Sequence, residues 1–163
     1  MSTSPPSSQS PAARRAAEAQ VRGLIARFAS AQQRLVGTTR RSLRKRLPTA
    51  HEVVYEYRDW FVISYSPNEH GYDGVLAIRG SADGVKLYFN RGKGLPDPAK
   101  VLRGSGTQVR FIQMEGASTL RNPAVARLLD EAIARSRVPF ARTGRGPVVV
   151  RAAAAKPRGR RST

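Results

Sequence analysis

Four short segments rich in β-branched and aromatic residues follow one another in the middle of this 163-residue chain, and turn residues separate them. We predict strands at residues 60–65, 75–79, 85–90 and 108–114. The first two connections are short enough for antiparallel neighbours. In the third segment Val85, Leu87 and Phe89 alternate with Lys86 and Tyr88, so one face of the sheet should be buried and the other partly wet.

Apolar residues at helical spacing precede these segments. Val21, Leu24, Ile25 and Phe28 predict a first short helix. Ser30 followed by Gln33 forms the pattern of a capping box and opens a second helix that runs to about residue 47. The basic run 40–46 covers most of that helix, and we interpret it as a solvated face rather than a nucleic-acid patch.

Two further capping signals predict two more helices. Thr49 with Glu52 is a capping box that predicts a short third helix over about 49–57. Asn122 before Pro123 predicts the N-cap and first position of a last helix that ends near residue 139. Helices, then strands, then a helix predict an α+β fold: an antiparallel sheet of about four to five strands, with the N-terminal helices and the C-terminal helix packed on one face. The pattern leaves open whether residues 148–150 add a strand.

The net charge of +18 lies mainly at the two ends of the chain. Residues 1–47 carry ten Lys or Arg and one acidic residue, residues 141–163 carry seven and none, and the middle is close to neutral. We predict a disordered Ser/Pro tail at 1–13, a single domain at 14–140 and a basic disordered tail at 141–163. The basic ends predict loose affinity for polyanions, although arginine-rich composition bias explains them as well.

Several classes of protein are excluded by composition. The chain has no cysteine, so it forms no disulfide and no thiolate metal site. It has no apolar run of membrane-spanning length and no secretory signal, and we expect a cytoplasmic protein, with an organelle transit peptide as the alternative for its Ser- and Arg-rich start. Neither a spaced Ser/His/Asp set nor a nucleotide-binding glycine fingerprint stands out, so we expect a non-enzymatic protein without a cofactor.

The stretch from Leu87 to Phe111 resembles the signature of the YdhG-like domains of unknown function. In that signature a strand ends in an aromatic residue and a glycine, and Leu, Asp-Pro, Leu, Gly-x-Gly and a strand Arg follow. The matching positions here are Phe89, Gly92, Leu95, Asp97, Pro98, Leu102, Gly104, Gly106 and Arg110. The lead-in from Leu47 to Tyr65 is similar too, so the resemblance covers roughly residues 20–140.

This resemblance implies a small domain of α and β structure with no generally established enzyme activity. One branch of the family is regarded as a frataxin-like iron chaperone, whose acidic side chains hold iron loosely. Such a site needs several carboxylates because iron prefers oxygen ligands. Residues 1–47 offer only Glu18, so the chain departs from that branch.

We predict that a small anionic ligand or a protein partner binds across the open sheet face and the glycine-rich loop. On the sheet face, Trp60, Lys86 and Tyr88 are the candidates for contact. In the loop, backbone N–H groups of the Gly-x-Gly turn are suited to an anion, and Arg110 is expected either to clamp that anion or to form an ion pair with Asp97. The loop candidates are Gly92, Lys93, Asp97, Gly104, Ser105, Gly106 and Arg110.

Two groups of acidic residues and histidine form the alternative, a metal site. His51, Glu52 and Glu56 share the predicted third helix, where the two carboxylates lie on one face. Glu69, His70 and Asp73 share one loop. Either group has ligands for a hard or borderline metal.

Overall fold

The computed structural model describes residues 9–152, which form four helices and six strands. The elements are α1 (Pro11–Ile25), α2 (Ser30–Arg46), β1 (His51–Glu56), β2 (Phe61–Ser66), β3 (Leu76–Ser81), β4 (Gly84–Phe89), β5 (Arg110–Met114), α3 (Ala117–Arg121), α4 (Pro123–Ala134) and β6 (Val148–Ala152). Among these residues, no helix is long and apolar enough to cross a membrane.

The six strands form one sheet in the order β5-β4-β3-β2-β1-β6. Strands β1 to β5 are a meander of antiparallel neighbours, because each connection returns the chain to the adjacent position. Strand β6 comes from the far end of the chain and pairs with β1 in parallel. The fold is α+β as predicted, but the sheet is mixed and has one strand more than the upper end of the prediction.

One face of the sheet carries the hydrophobic core. Val85, Leu87 and Phe89 of β4 are fully buried there and join the buried side chains of α1, α2 and α4 in one cluster. Lys86 and Tyr88 alternate to the opposite face and are only half-buried, which confirms the predicted alternation. We call this second face the open face, since the helices pack on the other side of the sheet.

Strand β1 stands where the sequence predicted a third helix, so that prediction is wrong. Thr49 does not cap a helix; its hydroxyl donates to the carbonyl oxygen of Ala141 at 2.6 Å. A cap contributes only about 1 kcal/mol. In the strand, β1 pairs with β2 along one edge and with β6 along the other, and Val53 and Val54 are completely buried. The hydrogen bonds along both edges of β1 and the burial of two β-branched side chains stabilise the strand by more than the cap would stabilise a helix.

Both predicted tails include ordered structure. Helix α1 begins at Pro11, capped by the Ser10 hydroxyl, inside the stretch predicted as a disordered tail. At the other end β6 forms a strand within the predicted basic tail. The Gln9 side chain bonds both the N–H and the carbonyl of Val148, at 3.0 and 2.8 Å, so the two ends of the described chain meet. The rest of the predicted tails, residues 1–8 and 153–163, lies outside the described residues.

The other two capping predictions have opposite outcomes. Asn122 accepts a hydrogen bond from the N–H of Ala124 at 2.9 Å and Pro123 is the first residue of α4, as predicted. Helix α2 starts at Ser30 itself with Ala29 at the N-cap, so the Ser30–Gln33 box does not form. Gln33 instead donates to the carbonyl oxygen of Phe28 at 2.7 Å.

The basic face of α2 is not simply solvated. Arg40 lies between the helices and the sheet, only 11% exposed, and contacts Glu18 of α1 and Glu52 of β1, each at 2.9 Å. Arg44 supports the same two carboxylates at 3.3 and 3.5 Å. The Tyr65 hydroxyl completes the cluster with a 2.6 Å hydrogen bond to Glu52. One buried arginine therefore joins α1, α2 and the sheet.

Candidate functional site

A groove of about 490 Å³ runs over the open face at the centre of the sheet. Aromatic side chains from several elements line it, with one arginine among them. The members used below are Tyr55, Tyr57, Trp60, Tyr72, Arg79, Tyr88 and Val109. We call this the open-face groove. Among the described residues that line it there is no carboxylate and no imidazole.

Arg79 is the only cation that lines the groove among the described residues. Its guanidinium carbon lies 4.5 Å from the centroid of the Trp60 ring, and its Nη1 donates to the Tyr88 hydroxyl at 3.2 Å. Its Nε is buried and makes no hydrogen bond, and no carboxylate within residues 9–152 forms an ion pair with it. A partly desolvated guanidinium without a counter-charge favours an anion nearby.

Trp60 is positioned by the turn between β1 and β2. The N–H of Tyr57 bonds the carbonyl oxygen of Trp60 at 2.9 Å, which closes the hairpin. The two rings stack at 3.7 Å with an angle of 9° between their planes. Burial, and then the neighbouring Tyr55, raise the pKa of Tyr57 above its ordinary value, so this hydroxyl stays protonated at neutral pH. Tyr57 covers one face of the Trp60 ring and Arg79 covers the other, so Trp60 borders the groove with its edge.

Tyr72 and Val109 are unusually exposed for apolar side chains. They are 79% and 43% exposed, and they are the large hydrophobic residues that stand out in this way within residues 9–152. Both line the open-face groove. Gly71, just before Tyr72, lies against the Tyr55 hydroxyl, and any side chain at this position would overlap that oxygen. Exposed apolar groups gathered along one groove are typical of a binding surface.

Two of the predicted contact residues line this groove, namely Trp60 and Tyr88. Lys86 lies on the same face but over the Phe111 ring, with its Nζ 4.7 Å from the centroid. Phe111 in turn packs edge-on against Tyr88 at 5.7 Å. Lys86 therefore borders the groove without lining it.

Six of the predicted loop residues lie in the long connection from β4 to β5 and Arg110 is the first residue of β5; none of the seven lines the groove. Asp97 accepts hydrogen bonds from the N–H groups of Val101 and Leu102 at 2.9 and 3.0 Å. Gly92 packs against the Arg110 side chain, and the N–H of Lys93 bonds the carbonyl oxygen of Gln108 at 2.9 Å. These contacts hold the connection in shape. The exposed turn of Gly104, Ser105 and Gly106 lies farther along it.

The predicted ion pair between Arg110 and Asp97 does not form. Arg110 donates instead to the carbonyl oxygens of Gly106 and Val109, at 2.7 and 2.8 Å. Its strand position pairs with Phe89 on the helix-covered side, and it is Phe111 that reaches the open face beside Tyr88. Arg110 therefore holds the end of its own loop, since the two carbonyl oxygens that accept its hydrogen bonds lie four residues and one residue before it.

The predicted metal ligands do not come together. Because residues 51–56 are a strand, His51 points to the face opposite Glu52, and Glu52 and Glu56 are separated by roughly 13 Å of extended backbone. Glu52 is held by Arg40, and Glu56 contacts Arg27 at 3.5 Å.

His51 and the loop group give the same result. Burial, together with the charge of Arg151, lowers the pKa of His51 against the opposing influence of Glu69, so its imidazole is neutral. Asp73 accepts from Asn68 at 3.0 Å and contacts Arg137 at 3.7 Å, while His70 stacks on Tyr72 at 5.1 Å. Within residues 9–152 no three such ligands converge.

Arg79 and Tyr72 were missing from the predicted site. Arg79 could have been predicted from the sequence, because it follows the buried Ile78 in a strand and therefore lies on the opposite, wet face. Tyr72 lies in a loop, where no periodicity operates. A separate cavity of about 220 Å³ also escaped prediction; it lies beside Tyr72 and is bordered by Arg91, Arg135 and Arg137.

No family profile, curated protein or solved structure matches this chain. The resemblance to the YdhG-like domains therefore stays a prediction, and function has to be argued from the geometry above.

Proposed function

We propose that this protein is a YdhG-like binding domain, not an enzyme, and that its open-face groove holds a small anion with a flat, apolar body. The observation that carries the proposal is Arg79. This cation lies among aromatic rings, has a buried Nε without a hydrogen bond, and faces no carboxylate of the described chain. A bound anion would supply the counter-charge that Arg79 lacks among the described residues.

The rest of the groove suits the apolar part of such a ligand. The edge of the Trp60 ring and the side chain of Val109 offer apolar contacts, and Tyr72 offers an exposed ring. Aromatic surfaces of this kind bind flat molecules by stacking. The groove volume of about 490 Å³ is within the usual range of small-molecule sites.

The glycine-rich loop has a supporting part in this proposal. Its last residue before β5, Val109, borders the groove, and the hydrogen bond from Arg110 to the Val109 carbonyl holds that position. The loop would thereby shape one end of the groove, whereas its Gly-x-Gly turn does not contact the ligand.

The single tryptophan of the chain makes the proposal directly testable, since Trp60 lines the groove. Two matched pairs of probes are used: benzoate with benzamide, and AMP with adenosine. We expect the charged member of at least one pair to change Trp60 fluorescence saturably and to bind about tenfold more tightly than its neutral partner, a difference of about 1.4 kcal/mol.

Arg79→Met should abolish the preference for the charged probe, because it removes the cation but retains much of the side-chain volume. Arg121→Met is the control, as Arg121 is exposed on α3 away from the groove. Titration followed by Trp60 fluorescence, which reports on this groove, measures binding in both variants. The proposal would be refuted if Arg79→Met still bound the charged probe more tightly than its neutral partner, or if none of the four probes changed Trp60 fluorescence in the unmodified protein.

A further inference from the structure

A further cavity, of about 260 Å³, lies on the helix-covered side of the molecule where the end of α2 meets the segment before β6. Arg44 and Glu52 form one wall, and Gly144, Arg145 and Gly146 form the other. The N–H of Gly146 bonds the carbonyl oxygen of Pro48 at 3.0 Å. Gly146 lies so close to Ala50 that any side chain there would overlap the Ala50 carbonyl. The wall is therefore held close to the sheet.

Arg14 of α1 reaches this wall from the side. One of its terminal nitrogens, Nη2, donates to the carbonyl oxygen of Gly146. The other, Nη1, is buried and has no hydrogen-bond partner within the described residues. Burial lowers the pKa of Arg14, and the charges of Arg145 and Arg44 lower it further against the opposing charges of Glu18 and Glu52.

The carboxylates of this region do not balance those charges. Glu18 and Glu52 are both already engaged by Arg40, at 2.9 Å each, and Glu52 also accepts from the Tyr65 hydroxyl. Arg44 shares the same two acids. Four arginines thus surround two carboxylates, and Arg14 and Arg145 are left without an acidic partner among the described residues.

We propose that this cavity binds a phosphate group, with Arg44 and Arg145 as its cationic contacts and Arg14, which bonds its wall at Gly146, as a further positive charge nearby. Guanidinium groups match the oxygens of phosphate with two parallel hydrogen bonds, and Arg44 and Arg145 line the cavity from opposite walls. The charge of Glu52 does not oppose this binding, since Arg40 compensates it. The cavity is separate from the open-face groove, which lies on the other side of the sheet, and the proposal does not depend on that groove.

Thermal unfolding of the full chain tests the proposal with inorganic phosphate exchanged for sodium chloride at constant ionic strength. We expect phosphate to raise the Tm saturably, as ligand linkage requires. Glycerol 3-phosphate, tested in parallel, distinguishes the two sources of the group: tighter binding of the ester identifies a phosphomonoester ligand, and equal binding identifies free phosphate.

Arg145→Gln should weaken phosphate binding at least tenfold because it removes a direct contact, and Arg14→Gln should weaken it less because it removes only a nearby charge. The matched controls are Arg15→Gln and Arg142→Gln, which replace two exposed neighbouring arginines and change the net charge by the same amount. Because Arg145 is itself exposed, its variant should fold even where the Arg14 variant does not. Phosphate should leave Trp60 fluorescence unchanged and should still stabilise Arg79→Met, which separates this site from the groove. Equal stabilisation of all the variants, or none in the unmodified protein, would overturn the proposal.

Discussion

Arg40 shows how much of this fold depends on one side chain. Its guanidinium donates to Glu18 along one edge and to Glu52 along another, and its side chain is 11% exposed. Burial alone would lower its pKa, but the hydrogen bonds and charges of the two carboxylates raise it above its ordinary value, so it stays charged. Arg40 is needed for stability because Glu18 and Glu52 lie largely out of solvent, and without Arg40 each carboxylate would be an uncompensated charge.

Replacing Arg40 by Met should lower the free energy of unfolding by about 3 kcal/mol, since it leaves two acids with only the longer contacts to Arg44. Urea denaturation at neutral pH measures the change. Arg41→Met, at the exposed neighbouring position, should stay within about 0.5 kcal/mol of the parent. A loss below about 1 kcal/mol in Arg40→Met would show that Arg44 alone compensates both carboxylates.

At the scale of elements, β6 decides the shape of one sheet edge. It pairs in parallel with all but the first residue of β1, and Val148 is 1% exposed in the core. Without β6, the second edge of β1 would present free N–H and carbonyl groups to solvent. The parallel strand thus completes the element that local sequence signals favoured as a helix.

A chain that ends at Ala152 should unfold at the same temperature as the full chain, whereas a chain that ends at Pro147 should be strongly destabilised or fail to fold. Thermal unfolding followed by circular dichroism compares the two. As a milder test, Val148→Ala should cost roughly 2 kcal/mol for the lost methyl groups and the cavity they leave. Val149→Ala, on the other face and only half-buried, is the control and should cost less. Equal stability of both truncated chains would contradict this account of β6.

The molecule as a whole carries a net charge of +18. Its positive charges repel one another, so the few carboxylates that contact arginines are important for stability. Glu18 is one of them. Burial by itself would raise the pKa of Glu18, but the hydrogen bond from Arg40 and the charges of Arg40, Arg44 and Arg14 outweigh it and lower the pKa. The protonation state of Glu18 therefore affects how strongly α1 is held against α2.

Stability should fall on acidification for this reason. The folded pKa of Glu18 lies below its ordinary value of 4.5, so its contribution is complete above about pH 4.5 and is lost as the pH falls through the folded value. Urea midpoints measured from pH 7 down to pH 3 should trace this decline. Glu18→Gln should start less stable and decline less steeply over the same interval. Parallel profiles for the two proteins would show that Glu18 has no such role.

Local pattern was sufficient for much of the fold and part of the candidate site. The alternation of β4 placed Tyr88 on the open face, and the Asn122–Pro123 pair marked the start of α4. Trp60 was correctly expected on that face as well. These features depend on residues within a few positions of one another, where side-chain direction and backbone preference follow directly from the order of residues.

Tertiary structure decided the remainder. Residues 51–56 have a helix cap signal, yet they form a strand because β2 and the distant β6 satisfy both of their edges. The unpaired charge of Arg79 and that of Arg14 follow from neighbours far apart in the chain, and no local spacing encodes which carboxylates are absent from their surroundings. The sequence by itself thus determined the elements whose stabilising contacts are local, while the edge strand and both candidate anion sites arise from contacts that exist only after the chain has closed on itself.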